Sequence, residues 1–94
     1  MKDNFICDKN SILLIKNESG KVLFGIKAIK NTNFYDKLIN KFNNIFSDLE
    51  EIRINKAEFN NKKNKGCIDI LINTGGGMMP WQYLKYKIEY IDII

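Results

Sequence analysis

One stretch of this chain limits its possible folds more than any other. In NTNFYDKLINKFNNIFSDL, residues 31–49, apolar side chains fall at positions 34, 35, 38, 39, 42, 45, 46 and 49. That i, i+3, i+4, i+7 spacing draws one apolar stripe along an α-helix. Thr32 or Asn33 can cap it, and Asp36 stands in the first turn, where it complements the helix dipole. The pattern predicts a helix over about 33–47, roughly 22 Å long at 1.5 Å per residue. No second stretch repeats it. A lone amphipathic helix must bury its stripe on something else, and the flanking sequence alternates with period two, so that partner is a β-sheet.

Before the helix, residues 5–15 are strand-like with a break at DKNS, and ILLIKNESGKVLFGIKAIK reads as a hairpin turning at NESG, where Gly20 supplies positive φ. In its second arm Val22, Phe24, Ile26 and Ala28 make the wholly apolar face. After the helix, EEIRINKAEF and CIDILIN alternate and are joined by NNKKNKG, which reads as a solvated turn. YLKYKIEYIDI alternates again, with Leu84, Tyr86, Ile88 and Tyr90 on one face and Lys85, Lys87 and Glu89 on the other. The expected fold is a single α+β domain over residues 1–94, of order ββ-α-βββ. About five strands, mostly antiparallel, carry the helix on one face. A helix laid back along the sheet returns the chain so that the third strand runs parallel to the second, and a right-handed crossover between them predicts a mixed sheet. The opposite face, with Leu23, Ile29, Leu71 and Ile91, is left as a candidate dimer or partner surface.

A chain of 94 residues holds one core and buries only about 60–65% of its unfolded surface, so association is a realistic supplement to its stability. The longest apolar run, ILLI, is far below the ~20 residues that cross a bilayer, and the first ten residues lack a secretory apolar region. A cytoplasmic protein without membrane attachment is expected. Its net charge of +4 carries little information. Lysine, asparagine and isoleucine supply 43 of the residues, as a low-GC coding bias would produce, and Arg53 is the only arginine.

Catalytic and metal chemistry find little to work with. There is no histidine, the commonest general base, and two cysteines with no nearby partner ligands do not make a zinc site. Cys7 and Cys67 both fall in strand-like segments and read as buried packing thiols. Asp69 and Glu58 can face each other as a carboxylate pair across neighbouring strands, though ordinary cross-strand ion pairs explain them equally well. No serine stands in a nucleophile-elbow context. The chain reads as non-enzymatic, with no cofactor and no metal.

What remains is NTGGGMMPWQY, residues 73–83. Phosphate loops aim backbone N–H groups from a helix N-terminus, and here a strand follows instead, after the only proline. A contact element fits better. Gly75, Gly76 and Gly77 allow close approach, Met78 and Met79 are adaptable apolar groups, and Trp81 and Tyr83 are residue types that anchor interfaces. The competing structural reading folds Met78, Met79 and Trp81 back as a plug for one end of the core. The sequence therefore points to a small binding protein, of inhibitor, immunity, antitoxin-like or phage accessory type, that meets a protein partner through residues 74–83. One alternative is a single-stranded nucleic-acid binder using Trp81, Tyr83, Lys85 and Lys87, aromatic rings beside cations on one outward face. Another is a homodimer holding a small ligand at the glycine loop.

Overall fold

The computed structural model describes residues 4–48 and 51–92. Its elements are β1 (Ser11–Lys16), β2 (Val22–Ala28), α1 (Tyr35–Ile45), β3 (Glu51–Asn60), β4 (Lys65–Asn73) and β5 (Trp81–Asp92). This is the expected α+β order, with one helix and one five-stranded sheet. The strands lie side by side as β2-β1-β5-β4-β3.

The sheet is not mixed. β1 pairs antiparallel with β2 and β5, and β4 pairs antiparallel with β3 and β5. β3 does run in the direction of β2, as a returning helix requires, but the two strands stand at opposite edges. The helix connection crosses the whole sheet, touching both edge strands. The β3-β4-β5 meander then fills the space back to β1, and each tight connection reverses the chain.

Each turn has a local cause. Asn17 organises the first. Its side-chain oxygen accepts from the Lys21 N–H at 2.9 Å, its carbonyl accepts from the Gly20 N–H at 3.0 Å, and Gly20 takes φ of 91°. Between β3 and β4, Asn64 takes φ of 56°, a conformation that asparagine tolerates.

The helix is shorter at both ends than its stripe suggests. Asn33 accepts the Tyr35 N–H at 2.8 Å and sets the start, while Phe46 N–H to Phe42 C=O at 2.9 Å closes the last turn. Leu38 and Phe42 are fully buried, and Phe34 just before the helix is buried too. Leu49, the last position of the stripe, lies outside the described residues.

The strand-like stretch expected over residues 5–15 forms a strand only from Ser11, and the FIC segment ahead of the DKNS break has just an isolated bridge from Ile6 to Asn33. Phe5–Cys7 instead straps the entry to the helix, with Phe34 N–H to Phe5 C=O and Asn31 N–H to Cys7 C=O both at 2.9 Å. Phe5 is thereby held edge-on to Phe34, Tyr35 and Phe59, at centroid distances of 5.6, 5.0 and 5.0 Å. A second aromatic group joins Phe42 to Phe24, Phe46 and Tyr86.

Between these groups run the buried faces of the strands: Leu13 and Ile15 of β1, Ile68, Ile70 and Ile72 of β4, and Tyr86, Ile88 and Tyr90 of β5. In β2 the expected face is buried at Ile26 and Ala28, while Val22, beside the turn, is exposed. Only one face of the sheet is covered by the helix. The other carries the alternate residues of all five strands, Leu71 half-buried and Ile12 and Ile91 exposed among charged neighbours.

Candidate functional site: the 74–83 loop and the open sheet face

β4 and β5 are joined by residues 74–80, and the connection is tied at its base. Thr74 donates its N–H to the Pro80 carbonyl at 2.8 Å and its hydroxyl to the same oxygen at 3.3 Å, while Gly75 N–H donates to Asn73 Oδ1 at 2.8 Å. Gly75 and Gly77 both take φ of 80°, which explains their place here. These constraints turn Met78 and Met79 outward, 100% and 79% exposed. The plug arrangement is therefore not adopted at the methionines.

Trp81 is half-buried and covered by a cation. The Arg53 guanidinium reaches across β4 to lie 4.9 Å from the centre of the indole ring. Arg53 is itself held by Glu51, with Nε to Oε1 at 2.8 Å, and that carboxylate raises the guanidinium's pKa. Tyr83, two residues on, is 63% exposed on the same face.

Register places the remaining candidates. Tyr83 lies opposite Leu71, Lys85 opposite Asp69, and Lys87 opposite Cys67. Trp81, Tyr83, Lys85 and Lys87 thus share the open face, and the structure adds Arg53 and Lys56 to them. Carboxylates are interspersed. Lys56 pairs with Glu58 at 3.1 Å and Lys16 pairs with Glu89. Among the described residues Lys85 and Lys87 have no such ion pair. An open cleft of about 500 Å³ lies over them, lined also by Glu18, Lys56, Cys67 and Asp69.

Two expectations need correction. Asp69 and Glu58 do not form a carboxylate pair, because the register sets Lys56 opposite Asp69 and Glu58 opposite Cys67. Cys67 is not a packing thiol, since its position in β4 faces the open side and is exposed. Cys7 is buried, as expected, and burial followed by the nearby Asp8 pushes its thiol pKa up. Both cysteines are free.

The sequence alone gives neither Arg53 nor Glu18 a site role. Arg53 stands out only as the single arginine, and its contact with Trp81 depends on a register two strands wide. Glu18 reaches the cleft because β1 is much shorter than β5, and strand length is poorly fixed by alternation alone.

Comparison with protein-family models, with curated proteins and with solved structures finds no match. No helix among the described residues is long and apolar enough to cross a membrane.

Proposed function

We propose that this protein acts by binding another protein through residues 74–83, with Met78 and Met79 as the leading contacts and Trp81 and Tyr83 behind them. The observation that carries the reading is the pairing of two exposed methionines with a tied loop base. Solvent-facing methionines are costly to display and adaptable in contact. The Thr74, Pro80, Asn73 and Gly75 hydrogen bonds reduce the entropy lost on docking. Arg53 over Trp81 gives the ring one orientation, as an anchoring side chain requires. Such a role needs no catalytic group, and two free thiols suit the reducing cytoplasm.

The test compares wild type with the Met78→Ser/Met79→Ser double variant, each immobilised and exposed to an extract of the source cells. A partner held by wild type and lost by the variant is expected, with the thermal midpoint unchanged. Retention by both proteins, or by neither, sinks the reading. Trp81→Ala should then cost about 2 kcal/mol or more of affinity for that partner.

A second reading is single-stranded nucleic-acid binding on the open face. It is favoured by the alignment of Trp81, Tyr83, Lys85 and Lys87 on one side of β5. Glu51, Glu58 and Glu89 weaken it, since they pair with Arg53, Lys56 and Lys16, the neighbouring cations of that face. It predicts affinity for an oligothymidine strand that falls steeply with salt, whereas a mainly apolar protein contact does not.

A further inference from the structure

Every sheet edge offers unpaired backbone groups, and proteins protect them with bulges, charges and coverings. The outer edge of β3 has a bulge between Ile54 and Lys56. On β2, Lys37 Nζ caps the Lys27 carbonyl at 3.2 Å. A third edge lies inside the sheet. β1 pairs with β5 only as far as Lys16 opposite Lys87, whereas β4 pairs with β5 all the way to Trp81. Residues 81–86 of β5 therefore have a strand on one side only.

The backbone groups that face this gap can be assigned. Tyr90 N–H donates to Asn64 C=O, and Pro80 C=O accepts from Thr74 N–H, so the even-numbered positions of β5 turn toward β4. By the alternation of an antiparallel ladder, Tyr83 and Lys85 direct both N–H and C=O into the gap. No bulge interrupts β5 here, and no proline lies within it. A cleft of about 450 Å³ occupies the gap, closed at one end by Asn17–Ser19 of the first turn. Its other end opens toward the 74–80 loop.

We infer that this gap receives an extended segment of the protein partner as an added strand, with alternating acidic and apolar side chains. The inference rests on the loop-contact reading above and names the partner's chemistry. Six residues of edge accept a strand about 20 Å long. One face of that strand meets Lys85 and Lys87, which have no ion pair among the described residues and which, with Lys56, outnumber Glu18 and Asp69 around that face. Its other face meets Leu84 and Tyr86, on the apolar side of the sheet. A second copy of this chain is a poorer occupant, because its own edge would bring the same two lysines against these.

The test is selection of displayed random seven-residue peptides on the purified protein, followed by affinity measurement on two variants. Tyr83→Ala and Tyr83→Pro both lose the ring, but only the proline loses the N–H facing the gap, and that N–H serves no bond to β4. Selected peptides should alternate acidic and apolar residues, and should bind Tyr83→Pro at least about tenfold more weakly than Tyr83→Ala. In wild type they should slow hydrogen exchange at the Tyr83 and Lys85 amides, a readout that survives if the proline variant fails to fold. The inference is overturned if selection enriches nothing, if the enriched peptides lack alternation, or if those amides exchange as fast with peptide as without. Such a failure beside a methionine-dependent partner leaves the loop reading standing. Loss of the methionine dependence alone removes the loop and keeps the strand site.

Discussion

Gly66 offers a sharp test of the packing between β3 and β4. A Cβ added there would sit 2.8 Å from the Glu58 backbone oxygen and 2.8 Å from Cδ1 of Phe59, far inside ordinary contact. Neither neighbour has room to retreat. The Glu58 carbonyl belongs to the β3 backbone, and the Phe59 ring is wedged against Phe5 and Phe34 at centroid distances of 5.0 and 5.6 Å. Overpacking of this kind costs about 1–3 kcal/mol. Reduced freedom of the unfolded chain returns about 0.4–1 kcal/mol. Gly66→Ala should therefore lose about 1–2 kcal/mol net, lowering the thermal midpoint by roughly 5–15 °C for a domain of this size. Gly76→Ala is the control. Its added Cβ meets nothing within 4 Å and its φ is not positive, so it should be neutral or slightly stabilising. Urea unfolding followed by circular dichroism reads both. A Gly66→Ala protein as stable as the control would refute the argument, since the two strands would then not be as close as described.

Phe42→Ala removes the ring shared by Phe24, Phe46 and Tyr86, and should cost about 3–5 kcal/mol in the same urea experiment. A thiol reagent such as Ellman's should modify one cysteine of the native protein promptly, at exposed Cys67, and reach buried Cys7 only on unfolding; mass spectrometry of the peptides decides it. Burial holds the Tyr86 and Tyr90 phenols above their ordinary pKa of 10.0, Tyr90 the more strongly. That contribution to stability is complete below pH 10 and is lost as pH rises above it, so unfolding midpoints should fall in the alkaline range, and less so in Tyr90→Phe. Glu89 is the opposite case. Its hydrogen bond and charge attraction to Lys16 lower its pKa below 4.5, so its small contribution is present above that value, fades on acidification, and should be missing in Lys16→Met.

The elements were legible wherever one face of the chain is buried. The stripe through Leu38 and Phe42 and the alternation through Tyr86, Ile88 and Tyr90 are each written by contact with the core, and each appears in the fold as the sequence implies. Strand order was not legible, because it depends on which hairpins dock beside which, and alternation is blind to neighbours. The FIC segment misled for a related reason. Three apolar residues satisfy a strand pattern, yet Phe5 and Cys7 are buried by helix-entry contacts and not by a ladder. Within the candidate site, the positive φ of Gly75 and Gly77 fits what their residue type suggested. The outward turn of Met78 follows from hydrogen bonds within residues 73–80 that residue type alone does not announce, and the cover over Trp81 comes from Arg53, a contact between distant strands.

The placement of β5 bears on how the chain acquires its structure in time. β5 joins the two halves of the sheet, yet it comes after every other described element in chain order. Until it emerges during synthesis, the first hairpin and the β3-β4 hairpin have no shared ladder. Their union closes a loop of about 70 residues between Lys16 and Lys87, at an entropic cost of about 4 kcal/mol. Topology thus predicts that the meeting of β1 with β5, a late and long-range step, limits the folding rate. A chain stalled before that step would leave the Leu13 and Ile70 faces uncovered along the seam, a state in which chaperone engagement or aggregation would compete with completion.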